Sequence, residues 1–337
     1  MKRFWLFVLP TLFFFSSCRE TVSGPDVPLV IFDTDIGSSA DDLFALELLH
    51  CYHQQGRCKL LGVVVDREGA CYAACADVMN TFFGHPDIPI GQVREGIKDP
   101  KVFIDYRDLP QWTDDQGRLL FKRSLAEDAP IPDGWQLYRR LLSDQADCSV
   151  SIVSVGFLTC LSQLLQSGPD EISPLSGAEL VRRKVRCLYV MGGKFGYFVE
   201  QDYNFSSGHP FSQAFFALWP AEVPMMFSPS ETGGAIEYAP ETVLEDISWT
   251  DVHPIKQVYL RCDCNTGQRM WDPLPVIQAV EGGDGFTLSE WGEVTYTDSG
   301  LTQFFPSASG KSRYQIPGSA DWNAQMLERI RQFTRQH

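Results

Sequence analysis

The residues best suited to chemistry lie in the stretch Pro28-Leu-Val-Ile-Phe-Asp-Thr-Asp-Ile-Gly-Ser-Ser-Ala-Asp-Asp-Leu-Phe-Ala-Leu46, which sets Asp33, Asp35, Asp41 and Asp42 within ten residues behind an apolar run. Carboxylates at this density repel one another and are costly to desolvate, so without a partner several must be protonated or stay in water. A bound cation would remove that cost. Two other loop chemistries fit less well. Counted from Asp33, Gly37 is fifth and Ser38 sixth, so the glycine of an EF-hand loop is misplaced, and a strand rather than a helix leads in. A phospho-aspartate site of the haloacid dehalogenase type would carry Thr or Val where Gly37 stands.

The elements that must hold these carboxylates can be read from pattern. Residues 29–32 form a short buried strand and residues 43–49 an amphipathic helix, so the aspartates occupy a strand-to-helix loop. In open α/β sheets such a loop lies at the carboxyl ends of the strands, where ligands bind. Gly37 supplies the turn, and Asp41 and Asp42 fall near the helix start, where negative charge is favoured. The alternation continues, with strands at 59–65, 88–91, 150–155, 185–191 and 225–227 and helices at 72–83 and 158–165. A hairpin is expected around Asp298-Ser-Gly300 within 292–316, and a last helix at 322–333. This predicts one α/β domain over 28–337: an open, mostly parallel, mixed sheet with helices on both faces. Residues 97–133, rich in charge and proline, read as a long loop or flap over or beside the pocket mouth.

The chain has 337 residues, 44% hydrophobic, and a formal net charge of −15. That acidity disfavours nucleic acid and anionic membrane surfaces as partners and suits a neutral small molecule or a cation. Residues 1–17 have the basic start and short apolar core of an export signal, ending in Phe15-Ser-Ser-Cys18. This resembles a bacterial lipoprotein cleavage box. The expectation is a lipid anchor on Cys18, a polar tether over 18–27, and a protein facing the periplasm. Ten cysteines less Cys18 leave nine, an odd number, so at least one thiol should stay free in an oxidising compartment.

Four motifs in order resemble the inosine-uridine type nucleoside hydrolases over nearly the whole span from Leu29 onward. They are Asp33-Thr-Asp-Ile-Gly37 with Asp41-Asp42; Val153-Ser-Val-Gly-Phe-Leu-Thr-Cys160; Met191-Gly-Gly193 followed by Asp202-Tyr-Asn204; and Trp271-Asp-Pro-Leu274. The resemblance implies a pocket calcium held by Asp35, Asp42, Asp272 and the carbonyl of Val155. It implies that calcium positions the attacking water and lowers its pKa, with Asp35 as the general base. Asp41 would hold a ribose hydroxyl, Asp202 and Asn204 the other end of the sugar, and Asp33 would orient the loop from behind. Homo-oligomers are common in the family.

The departures bear on the leaving group. Two more residues separate Asp35 from Asp41 than in the shortest family motif, Ser39 replaces an aspartate of the longer one, and Asp202 stands for glutamate. Cys160 takes the place of an asparagine. Trp271 occupies the position of a histidine that protonates the departing base in some members; tryptophan cannot donate that proton but can stack on a nucleobase, which tilts the expectation toward purines. His209, near the family's Asp-Pro position, reads as structural. Three outcomes stay open: hydrolysis of the N-glycosidic bond of nucleosides, hydrolysis of another ribosyl glycoside, or a lipoprotein that binds the sugar without turnover.

Overall fold

In the computed structural model, residues 27–126, 129–196, 200–264 and 266–336 are described. Cys18, the expected signal segment and all of the tether except Val27 lie outside them. The described residues form eleven strands: β1 (Leu29–Thr34), β2 (Lys59–Val65), β3 (Ile90–Gln92), β4 (Val150–Ser154), β5 (Val185–Met191), β6 (Met225–Ser228), β7 (Glu237–Tyr238), β8 (Gln268–Arg269), β9 (Gly292–Tyr296), β10 (Thr302–Pro306) and β11 (Ser312–Tyr314). Nine form one sheet in the order β10-β9-β11-β6-β5-β4-β1-β2-β3, and β7 pairs with β8. From β3 to β11 every pairing in this sheet is parallel; β9 runs antiparallel to both of its neighbours, β11 and β10, and forms with β10 the hairpin turning around Asp298–Gly300. This is the mixed, mostly parallel sheet expected from the alternation.

The first seven helices are α1 (Asp41–Gln54), α2 (Ala70–Phe82), α3 (Gly134–Ser143), α4 (Thr159–Gln166), α5 (Gly177–Lys184), α6 (Tyr203–Ser207) and α7 (His209–Leu218). Because parallel strands are covered on both faces, β1 and β2 read as continuous apolar runs without alternation. The period of two still sorts their side chains. Val30 and Phe32 of β1 enter the core shared with α1 and α2, whereas Ile31 enters the core shared with α3, α4 and α5. The same alternation sends Asp33 to the α3 side and Thr34 to the α1 side.

β1 lies between β2 and β4, and the chain reaches β4 only after crossing from the β3 edge. The strand order therefore reverses at the β1–β4 junction, where a crevice opens at the carboxyl ends. The backbones close up there: Val155 N–H donates to the Asp33 carbonyl at 2.8 Å, and Asp66 N–H to the Thr34 carbonyl at 2.8 Å. The crossing runs through residues 97–133, whose described part contains a single 3-10 turn, Leu109–Gln111, and two isolated bridges, Thr113 with Leu119 and Asp133 with Gln92. Its Phe103 and Ile104 line a cavity together with residues of the acidic loop, as the flap reading anticipated.

At the junction a Cβ on Gly156 would stand 2.4 Å from the Asp35 nitrogen and 2.8 Å from the Thr34 carbonyl carbon. Both neighbours are backbone and cannot turn aside. Gly156→Ala should cost about 1–3 kcal/mol, a typical overpacking penalty; an unchanged urea midpoint with an unchanged slope would contradict this close approach.

Candidate active site

Asp41 and Asp42 occupy the first turn of α1, and Asp272 immediately precedes the helix Pro273–Glu281. The two helix starts face each other across the end of the sheet. One carboxylate oxygen from each of Asp41, Asp42 and Asp272 lies within 4.8 Å of the others, and all three residues are buried. The surrounding polar groups orient them. Thr34 Oγ1 donates to Asp42. Ser39 Oγ donates to Asp41, and Gln268 Nε2 donates to Asp41 Oδ1 at 3.2 Å.

Burial is the main electrostatic fact of this cluster. It pushes Asp41 up to about 7. Asp42 and Asp272 are raised well above the usual carboxylate range by burial, reinforced by the neighbouring aspartates. Three hard oxygen donors with few compensating hydrogen bonds fit a hard divalent cation, which would take the place of the protons.

Asp35 lines the same cavity but is not a member of that triad. Its Oδ2 receives a hydrogen bond from Arg67 Nη2 at 2.9 Å, and its backbone carbonyl one from Arg67 Nε at 2.7 Å. Burial raises the pKa of Asp35, and the adjacent guanidinium pulls it back. Asp33 sits behind, away from the cavity lining. Tyr138 of α3 donates to its Oδ2 at 2.7 Å and Ser154 to its Oδ1 at 3.2 Å. Burial and then the charge of Asp66 raise Asp33 well above its ordinary range, while burial takes Asp66 up to about 6. Asp66 Oδ1 in turn accepts the Cys160 N–H at 2.9 Å.

The cavity, of about 550 Å³, is also lined by Val155, Asp202, Asn204 and Trp271. Asn204 Nδ2 donates to the Val155 carbonyl at 2.8 Å. Asp202 caps α6 by accepting from Phe205 N–H at 3.3 Å and also accepts from Ser230 Oγ. Trp271 anchors its indole N–H on the Ser230 carbonyl at 2.9 Å. His209 stands apart, with Nδ1 3.0 Å from the Tyr296 hydroxyl. Every pocket residue expected from the sequence thus lines one cavity, and Asp33 lies behind it. Arg67, Asp66, Tyr138, Gln268 and Ser230 were not foreseen. The one available signal was Asp66-Arg67 at the carboxyl end of the strand 59–65, beside the acidic loop.

The family model for inosine-uridine preferring nucleoside hydrolases matches residues 30–212, more than half of the chain, and the chain belongs to that family. Family and fold together make it a glycosyl hydrolase of the nucleoside hydrolase type. No curated protein matches the chain in a sequence search. Among solved structures, the plant nucleoside hydrolase PpNRh1 superposes with a TM-score of 0.65 at 15% identity, over 91% of this chain and 99% of that one. The purine-preferring ribonucleoside hydrolase from Gardnerella vaginalis gives 0.63 at 13% identity, over 91% and 99%. The inosine-uridine preferring nucleoside hydrolase from Bacillus anthracis gives 0.63 at 16% identity, over 91% and 99%. At such identities the likeness concerns the fold.

The raised carboxylates set the sign of a pH effect. Asp41 near 7 and Asp66 near 6 lie above their ordinary value of 3.8, so the fold holds protons that the unfolded chain has released. Their contribution to stability is full below about pH 4 and is lost as pH rises toward 7. In EDTA the melting temperature should fall over that window. An excess of a divalent cation that binds there should raise it strongly at pH 7.5, by the equivalent of about 2.7 kcal/mol at a hundred times Kd, and little at pH 4.5. Equal shifts with the cation at both pH values would contradict a carboxylate site.

Proposed function

We propose that the protein hydrolyses the N-glycosidic bond of ribonucleosides, with calcium as cofactor, releasing base and ribose. The observation that carries this reading is the gathering of Asp35, Asp41, Asp42, Asp202, Asn204 and Asp272 around one cavity of nucleoside-sized capacity. Asp42, Asp272, Asp35 and the Val155 carbonyl would hold the ion, which would supply a Lewis acid for the attacking water. Asp41, inside the carboxylate triad, is placed to serve a ribose hydroxyl that also approaches the ion.

Asp35 would take the proton from water. Its buried carboxylate has a raised proton affinity, which suits a base, and Arg67 favours its ionised form. As the bond to the base stretches, the ribose gains oxocarbenium character, and the neighbouring carboxylates stabilise that positive charge. Asp202 and Asn204 would orient the far end of the sugar. Trp271, with its indole N–H engaged by Ser230, offers a fixed aromatic surface to the departing base, which favours purines.

Incubation of the mature protein with purine and pyrimidine nucleosides should release free ribose, faster from purines. Asp35→Asn should remain folded and lose about 10²–10⁴-fold in turnover, the usual share of a general base. Asp33→Asn should lose about 10–100-fold, as expected for a group that orients a ligand from behind. The reverse ranking would sink the assignment of the base.

From the export-signal pattern of residues 1–17 and the Ser-Ser-Cys18 at its end, we further propose a protein facing the periplasm and anchored through a lipid on Cys18. No described helix is long and apolar enough to cross a membrane. Radiolabelled fatty acid should enter the wild-type protein and not Cys18→Ser; equal labelling of both would refute the anchor.

A further inference from the structure

A single guanidinium holds Asp35 by both its backbone and its side chain. Arg67 has no side-chain exposure, and its ionic partner is Asp35. The same group reaches into the crossing segment, donating to the Lys101 carbonyl from Nη2 at 3.0 Å and to the Pro100 carbonyl from Nη1 at 3.4 Å. Two and three residues beyond Lys101, Phe103 and Ile104 line the cavity. That strap is fastened to the acidic loop as well: Ile104 N–H donates to the Ser38 carbonyl at 2.7 Å, and Phe103 N–H to Ser38 Oγ at 3.2 Å. Phe157 and Tyr72 pack against the guanidinium, with ring centroids 5.4 and 5.9 Å from Cζ. A buried charge with this many fixed acceptors is costly to place and has one low-energy arrangement.

We propose that Arg67 is a positioning residue: it engages Oδ2 of Asp35, leaves Oδ1 as the oxygen open to the cavity, and ties that orientation to the strap carrying Phe103 and Ile104. The geometry stands alone, whereas its kinetic consequence rests on the nucleoside hydrolase reading. With Oδ2 taken, whatever else Asp35 does in the cavity falls to Oδ1. A lysine keeps the charge but has no fork with which to span a carboxylate, its backbone carbonyl and two strap carbonyls.

Arg67→Lys and Arg67→Met test this, with turnover, calcium calorimetry and hydrogen exchange measured together. In Arg67→Lys, kcat should fall about 10–100-fold with KM within about threefold, as for other orienting partners. Calcium affinity should change by less than about threefold, because the charge is kept. In Arg67→Met, kcat should fall at least as far, while calcium binds about 3–10-fold tighter once a positive charge beside the carboxylates is gone. Amide exchange over residues 101–106 should quicken about tenfold in both, with global protection retained. A role confined to stability would instead lower kcat and calcium affinity together, in step with the melting temperature, and would overturn the proposal. So would wild-type kcat or wild-type exchange in Arg67→Lys. Should Arg67→Met fail to fold, Arg67→Lys decides alone. If the wild type releases no ribose from any nucleoside, the functional reading fails, and exchange in Arg67→Lys still decides whether Arg67 holds the strap.

Discussion

Six aspartates, Asp33, Asp35, Asp41, Asp42, Asp66 and Asp272, are buried at the carboxyl end of the sheet, and neutralising them is the constraint around which the local structure is organised. Three different solutions operate within a few residues. Asp35 is paired with a buried arginine. Asp33 and Asp66 accept hydrogen bonds from Tyr138 of α3, Ser154 at the end of β4 and the Cys160 amide at the start of α4, and their raised proton affinity lets a proton do the rest. Among the described residues no cation forms an ion pair with Asp41, Asp42 or Asp272, whose side-chain donors are Thr34, Ser39 and Gln268, and the cluster suits a metal ion.

The pleat of β1 makes this division possible. Alternate residues of one strand deliver Asp33 to the α3 layer and Thr34 to the α1 layer, and Asp35 follows just beyond the strand end. A register slip by one residue would exchange the two layers and bring a threonine where a carboxylate must be. The parallel pairing of β1 with both β2 and β4 prevents that slip, because Asp33 is locked opposite Val64 on one side and Ser154 on the other.

Much of this was legible in the sequence for a physical reason. Strand 59–65 is a run ending in three valines and strand 185–191 an apolar run ending at Gly192-Gly193, and the structure gives them those limits. The acidic loop announced itself through charge density. What remained hidden depends on partners far along the chain. Tyr138 lies 105 residues from Asp33, and α3 begins directly behind the irregular crossing segment, where its periodicity is masked by its neighbours. Arg67 follows an apolar strand as an ordinary polar residue would; only the placement of β2 beside β1 gives it a carboxylate to face. Asp35 could be foreseen in the pocket, but not the cation that claims one of its oxygens.

The crossing segment divides the cavity into parts of unequal freedom. The carboxylates stand on helix starts and strand ends, where a shift of backbone would disturb the core. Phe103 and Ile104 belong instead to a stretch with almost no regular structure, fastened at a few carbonyls and amides around positions 100–104. Beyond those fastenings, loops of this kind accept substitutions and insertions more readily than the elements they join. Lineages of this fold can therefore diverge in what they recognise while inheriting the machinery unchanged, and the fixed points at Pro100 and Lys101 mark how close to the carboxylates that divergence can reach.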